Sequence, residues 1–574
     1  MKARLAPLLI AAGVFALCFR MIQSPESTEA NHTVESDLSA TVADVDAYLD
    51  FRWKQEKVEH TTPADNLIVL RRLALALMGT VPSLEEIRQF EADEAPDRLE
   101  RWTLRYLNDP RFSDYFAERL ARCFVGTEGN PINVVFRRDR FVDWLSMQLK
   151  KNEPYDETIR QVISTDGLWT SEPASNFVTV ANNDGEIDEN MLATRSSRAF
   201  LGQSLDCAQC HDHKFNDDIK RSDFLGVAAQ FGQAKVGGLG VADYKEKKFE
   251  TDDFNDIEHL AKNLKKDEKL TIAPAVPFHP EWLGTEGSPR KRFAEWITHQ
   301  ENRRFHRAIA NRVWGLMFGR PFISPVDDMP NPQDRPYKNV AADVAKAKAE
   351  ATSPADEPDI YWDEYRDALD VLAEDFREHN CDLRRLVQVI AKTKAFRLAS
   401  THPVDDEMLL YDIEEHWAVY PMTRLRPEQV IGSMIQSSYI RTVNQNSHLF
   451  VRIIRATRES GFVEQYGDLG DQELAERSGT IPQALLRMNG EMTRKSIKTG
   501  ELLAPAPDRI ANMCKTNEDV VETLYLVCVS RRPEPEEKQH ILELLGNKEG
   551  DARETIVEDV YWALFNSPEF SWNH

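Results

Sequence analysis

Leu67, Leu70, Leu73 and Leu77, with Met78 beside the last, return at intervals of three and four residues, the spacing that lines one face of a helix. Gly79 and Pro82 end that run. Ser83-Leu84-Glu85-Glu86 then reads as a capping box, with Ser83 and Glu86 satisfying backbone donors at the start of a helix that carries Leu84, Ile87 and Phe90. The same period predicts helices over 97–107, 113–124, 140–149 and 155–163, then over 194–210, where Phe200, Leu201 and Leu205 share a face, and over 223–231. Further on it predicts 290–298, 308–318, 361–378, 383–392, 427–438, 482–495, 517–530 and 556–566, with one more over 535–545 that opens on Pro535 and Glu536. No long alternation of apolar and polar residues interrupts the first half, so the fold class is mainly α.

The pattern breaks between 236 and 287. Gly237, Gly238 and Gly240, a charged run over 245–269, and Pro274, Pro277 and Pro280 make this an irregular Gly/Pro and charge-rich segment joining two helical domains, 45–235 and 288–574. Inside the second domain, 338–358 is rich in Ala, Lys and acids with few large apolar groups, and reads as a mobile insert. A chain of 574 residues with 41% hydrophobic content has room for several domains and a large core. Trp102, Trp144, Trp296, Trp314 and Trp417 all fall on helical patterns and are expected in that core. The net charge of −24 argues against a nucleic-acid partner, which would need a dense basic surface.

The N-terminus has the layout of a secretory signal: Lys2 and Arg4, then an apolar run from Leu5 to Phe19. Arg20 follows without a small-x-small cleavage site, so residues 1–25 are a signal peptide or an N-terminal anchor, although the run is shorter than the ~20 residues of a membrane-spanning helix. Cys18 belongs to this segment. Residues 26–44 read as a polar tether. The expected location is outside the cytoplasm, periplasmic or at the cell surface, with membrane contact only through the N-terminal segment.

Against that export signal stands Cys207-Ala208-Gln209-Cys210-His211. Two thiols three positions apart followed by an imidazole form the attachment site of c-type haem: the thiols add to the vinyl groups and the histidine ligates iron. Asp212-His213 continues the run, so Cys207, Cys210, His211 and His213 are also a zinc or iron set, structural or hydrolytic. A third reading is an exported helical binding scaffold without cofactor, the two cysteines paired. Seven cysteines in all are too few for a disulfide framework, and Cys123, Cys381, Cys514 and Cys528 read as packing residues. Asn311-Arg312 and Asp327-Asp328 form a polar cluster best read as an Arg–Asp tie between elements. No Ser-His-Asp order, phosphate-binding glycine loop or zinc-protease helix motif occurs, so any enzymatic role would rest on the Cys-His site, and an electron carrier is favoured over an enzyme.

The residues also match a family. Leu70-Arg71-Arg72-Leu73, Val81-Pro82-Ser83, Asp109-Pro110-Arg111-Phe112 and Arg198-x-Phe200-Leu201-Gly202 lead into the Cys-x-x-Cys-His-Asp-His run. Asn311-Arg312-Val313-Trp314, Phe318-Gly319-Arg320, Pro325-Val326-Asp327-Asp328, Arg424-Leu425-Arg426-Pro427-Glu428-Gln429 and Asn566-Ser567-Pro568-Glu569-Phe570 follow. With these the chain resembles the planctomycete-type cytochrome-c-like proteins, exported proteins built from two paired domains of unknown function. The resemblance implies fold and export more than a reaction. Lys214 stands where the family usually has proline, and Asn331-Pro332-Gln333 is a reduced form of the family's Asn-Pro-Pro-Ser-His run.

If haem is attached, the sixth iron position decides the chemistry. Met191, upstream of the motif, is the candidate ligand, with Met317 and Met329 behind it; a redox partner protein is the implied partner.

Overall fold

The structure, a computed structural model, describes residues 37–127, 136–183, 186–212, 219–262, 264–265, 268–330, 366–444, 447, 461–463, 465–467, 470, 474, 480–490 and 506–574. The N-terminal signal or anchor, the whole insert at 338–358, Asn331-Pro332-Gln333 and His213 lie outside these. The first half supplies α1 (Ser39–Glu56), α2 (Asn66–Met78), α3 (Leu84–Glu91), α4 (Arg98–Leu107), α5 (Pro110–Val125), α6 (Arg138–Lys151), α7 (Tyr155–Ser164), α8 (Glu189–Leu201) and α9 (Arg221–Ala228). The second supplies α10 (Pro289–Ile297), α11 (Arg303–Phe318), α12 (Ala368–Glu378), α13 (Leu383–Lys392), α14 (Glu407–Glu415) and α15 (Pro427–Ser437). It continues through α16 (Ile481–Asn489), α17 (Ala506–Met513), α18 (Asn517–Val529), α19 (Pro535–Leu545) and α20 (Asp551–Asn566). The mainly α expectation holds, and no described helix is long and apolar enough to cross a membrane.

Among the described residues, strands occur only as antiparallel pairs: β1 (Asn182–Asn183) with β2 (Glu186–Ile187), β3 (Ala234–Gly237) with β4 (Gly240–Asp243), β5 (Phe249–Thr251) with β6 (Leu270–Ile272), and β7 (Thr423–Arg424) with β8 (Trp572–Asn573). Two of these pairs lie in or enter the segment the sequence marks as irregular; strands of three or four residues are too short to show a period. Two further expectations shift. α1 starts at Ser39, inside the stretch read as a tether, because Val42 and Val45 bury against the core and Thr41 Oγ1 donates to Asp375 Oδ1 at 2.6 Å. The helix expected over 194–210 runs instead from Glu189 to Leu201, where Gly202 takes the left-handed conformation that closes a helix C-terminus, with φ 57°.

The capping box at Ser83 forms as read: Ser83 N donates to Glu86 Oε2 at 2.8 Å, and Glu86 N to Ser83 Oγ at 3.1 Å. One apolar core runs through both halves, from Val42 in α1 through α2, α5, α8, α11 and α13 to Trp417. A second cluster packs α15, α18 and α20 against Leu75 and Val81. The five tryptophans expected in the core are buried; Trp314 stacks on Phe318 at 4.4 Å between centroids and meets Trp417 edge-on at 5.2 Å.

α2 lies at the centre, and Arg71 and Arg72 within it are fully buried. A guanidinium without water must give its protons to fixed acceptors. Arg72 donates to the carbonyls of His574 (2.8 Å), Phe396 (2.9 Å) and Leu398 (2.7 Å) and to Ser400 Oγ (3.1 Å), and its Cζ lies 3.6 Å from the centroid of the Tyr420 ring. Arg71 reaches the carbonyls of Glu569 and Phe570, both at 3.3 Å. In the second half, Arg290 of α10 returns the arrangement, donating to the carbonyls of Ile163 (2.8 Å) and Thr165 (2.9 Å) at the end of α7.

Replacing Arg72 with Ala strands three carbonyls, two of them in buried contacts, and is expected to lower stability by about 3–5 kcal/mol in urea unfolding. Arg72→Lys should recover little, because an ammonium cannot span the same fork of acceptors. A second expectation concerns pH. Burial lowers the His306 imidazole to about 4, so the folded state holds it neutral while the unfolded chain takes up a proton near 6.5. As pH falls from 6.5 to 4 the unfolded state gains the proton, and up to roughly 3 kcal/mol of stability is lost across that window. His306→Phe should unfold with a visibly flatter pH dependence than the wild type between pH 7 and 4.5.

Candidate functional site

The five-residue motif sits on one short turn. Leu205 and Ala208 are buried and anchor it, Cys207–Gln209 form a single 3₁₀ turn, and Cys207 and Cys210 on either side of Ala208 are exposed free thiols. The amides of Cys210 and His211 both point back to the Cys207 carbonyl, each at 3.4 Å. The His211 ring is partly buried, with Nδ1 2.7 Å from the Asp212 carbonyl oxygen. A carbonyl only accepts, so Nδ1 carries a proton and Nε2 is the nitrogen left to meet a ligand, the orientation that metal-binding and haem-binding histidines use.

The turn is pinned from outside by residues the sequence did not single out. Arg221, at the start of α9, is 2% exposed; its Nε donates to the Gln209 carbonyl at 3.3 Å, Nη1 to the Asn255 carbonyl, and Nη2 pairs with Asp253 at 2.8 Å. Its own amide donates to Asp212 Oδ1 at 2.9 Å. Asn255 Nδ2 donates to the Cys210 carbonyl (2.8 Å), and Asp256 Oδ2 accepts from the Asp212 amide (2.9 Å). The acidic run at 252–256, which reads as solvated loop, is thus the outer wall of the site. Its only sequence signal is the repetition of Asp and Asn at short spacing, which also describes any exposed turn.

The second half clamps the approach to the motif. The Met329 amide donates to the Gly202 carbonyl at 2.7 Å, the Ser204 amide to Asp328 Oδ1 at 3.2 Å, and Arg304 Nη1 to Gln203 Oε1 at 2.8 Å. A Cβ on Gly202 would stand 2.5 Å from the Met329 methyl, so the close approach as well as the positive φ requires glycine there.

Comparison with known families agrees with this two-part construction. Residues 44–236 match a family model described as PSCyt2, a protein of unknown function (DUF1549). Residues 289–342 and 364–452 match a second, PSD1, a protein of unknown function (DUF1553). The chain carries this pair of domains. No curated protein and no solved structure matches it.

The motif therefore lies near the end of the PSCyt2 region, and the clamp on Gly202–Ser204 comes from the PSD1 region. Asn311 and Arg312 of PSD1 act as the tie expected of them. Asn311 exchanges bonds with the Ile323 backbone, Nδ2 to the carbonyl at 2.8 Å and Oδ1 from the amide at 3.0 Å, and Arg312 pairs with Asp327. Of the three methionines, Met317 and Met329 are buried in the core, and Met329 sulfur accepts from Asn311 Nδ2 at 3.2 Å. Met191 differs: it is 37% exposed and lines a cleft of about 340 Å³ together with Gln209 of the motif, Cys123, Arg198 and Asp327.

The donor set fits covalent haem at the level of chemistry, with two exposed thiols and an imidazole whose Nε2 is kept for a ligand. Among the described residues no three His, Cys, Asp or Glu side chains gather into a set that could hold a metal ion. His213, the fourth member of the alternative zinc or iron set, falls outside them.

Thiol labelling of cytoplasmically produced, haem-free protein checks the exposure. Cys207 and Cys210 should alkylate in the native state, whereas Cys381, whose thiol burial pushes up to about 12, and Cys528, raised further by complete burial, should label only in denaturant. Arg221→Met should speed hydrogen exchange at the Cys210 and His211 amides, with a local loss of about 2 kcal/mol.

Proposed function

We propose that this protein is an exported haem c-binding protein that carries electrons, with thioether bonds from Cys207 and Cys210 and His211 as the proximal ligand. The observation that supports the reading most is the His211 ring oriented by Nδ1–H on the Asp212 carbonyl, directly after two exposed thiols on one anchored turn. The group, when bound, supplies one-electron redox chemistry.

The chain's own contribution is positional. Leu205 and Ala208 fix the backbone to the core, so both thiols face outward together. Arg221, Asn255 and Asp256 hold the turn against recoil, and the Asp212 carbonyl keeps the imidazole in one tautomer. Met191, facing the same cleft as Gln209, is the proposed sixth ligand. A redox partner protein would dock at this exposed turn. Export follows from Lys2, Arg4 and the apolar run to Phe19.

The test is an absorption spectrum of protein exported from a host with the c-type maturation system. A Soret band that survives acid-acetone extraction and is lost in the Cys207→Ala, Cys210→Ala double variant is the expected result. A colourless protein with stoichiometric zinc would overturn it. In the haem-bearing protein, Met191→Ala should let the reduced form bind carbon monoxide that the wild type resists; equal binding by both removes Met191 from the iron.

A further inference from the structure

α14 sits on a stretch of chain whose two ends are tied together. The Ala399 amide donates to the Thr62 carbonyl at 2.8 Å, the Tyr420 amide to the Ala399 carbonyl at 3.0 Å, and the Thr61 amide to the Ala418 carbonyl at 2.9 Å. At the C-terminal end of the helix, Trp53 Nε1 of α1 donates to the His416 carbonyl at 2.8 Å, and Arg320 Nη2 to the Glu414 carbonyl at 2.6 Å. Asp406 caps the other end, accepting from the Met408 amide at 2.9 Å and the Leu409 amide at 3.3 Å. The helix is thus held in place, yet every residue from 405 to 412 is exposed.

Ile413 is the one buried residue of α14 and marks its inner face. With about 3.6 residues per turn, Met408 and Tyr411 fall on the opposite face, three positions apart and side by side, 83% and 67% exposed. Leu409 and Leu410 add further exposed apolar surface. Anchoring the helix uses none of this, and a contiguous exposed apolar patch marks an interaction surface.

The surroundings of the patch are acidic on every side. Glu407 and Asp412 flank the Met408–Tyr411 pair, Glu415 lies one turn beyond it, and Asp405 and Asp406 precede it; the run 405–415 holds no lysine or arginine. Glu414 and Glu415 meet Arg320, and Asp412 has His416 at 3.5 Å. Among the described residues no lysine or arginine pairs with Asp405, Asp406, Glu407 or Asp412. An apolar centre that includes Met and Tyr inside a polar rim is the anatomy of a protein–protein interface.

The rim selects the occupant. A second copy of this chain, at a net charge of −24, would bring like charge to these carboxylates, and an anionic membrane would do the same. We propose that the outward face of α14 docks a basic amphipathic helix of a protein partner, its apolar face on Met408 and Tyr411 and its lysines or arginines on Glu407, Asp412 and Glu415. This surface is independent of the Cys-His motif and of any haem.

Fluorescence anisotropy of a labelled amphipathic peptide of about four helical turns, built from leucine and lysine and titrated with the full chain, tests this. The expected result is saturable one-to-one binding that weakens with added salt, and none by the same peptide with glutamate in place of lysine. Met408→Ser with Tyr411→Ser, which leaves the charge unchanged, should weaken binding at least about tenfold without moving the unfolding midpoint. Asp405→Asn, Glu407→Gln and Asp412→Asn together should weaken it and remove most of the salt dependence. No saturable binding, or equal binding by the Met408→Ser, Tyr411→Ser variant, would overturn the proposal, the second result showing only general attraction to an acidic protein. A dimer in sedimentation, or binding to phosphatidylcholine vesicles, that the same double variant abolishes would overturn it in favour of a second copy or a lipid surface.

Discussion

A buried guanidinium must meet fixed acceptors or it destabilises whatever buries it, and this fold is organised around that constraint. Twelve arginines are buried among the described residues, and several donate to main-chain carbonyls distant in sequence. Arg71 and Arg72 hold the 528–574 end of the chain and the 396–400 segment against α2. Arg384 of α13 reaches Asn108 and the Leu149 carbonyl, closing the ends of α4 and α6 from the opposite half of the chain. Each bond is directional and costs several kcal/mol to leave unmade, so these contacts fix how α2, α4, α6 and α13 meet, where apolar packing alone would tolerate a slide.

The candidate site depends on the same device. Arg221 is the buried arginine of the motif, and the carbonyls it takes, from Gln209 and Asn255, bring the Cys-His turn and the acidic wall together. Arg312 and its partner Asp327 anchor the loop whose next residues, Asp328 and Met329, hold Ser204 and Gly202. The PSCyt2 region therefore presents the thiols and the PSD1 region sets the strand of chain that leads to them. That division gives a physical reason for two domains to occur as a pair: the motif's approach is completed by hydrogen bonds from the second.

Much of this was legible in the sequence where the signal is local. Helical period and caps marked most helices to within a few residues, since α2, α7 and α13 bury apolar faces repeating at three and four. The Cys207, Cys210, His211 set was legible because its chemistry needs adjacent residues. The ending of α8 at Gly202 was not, because Phe200, Leu201 and Leu205 kept the period going across a glycine that stops the helix. The partners of Arg221, Arg72 and Arg290 were not legible either: a carbonyl acceptor has no residue identity, and these lie tens to hundreds of positions away. The exposure of Met191, against the burial of Met317 and Met329, separates three methionines that look alike in sequence.

The central claim is that the anchored Cys207–His211 turn is a covalent attachment site. The intact mass of the exported chain, measured under denaturing conditions after maturation with the c-type system, addresses it most directly. One haem added per chain, carried on the peptide that contains Cys207 and Cys210, is the result this account predicts. An unmodified mass with both thiols free to alkylate would contradict it.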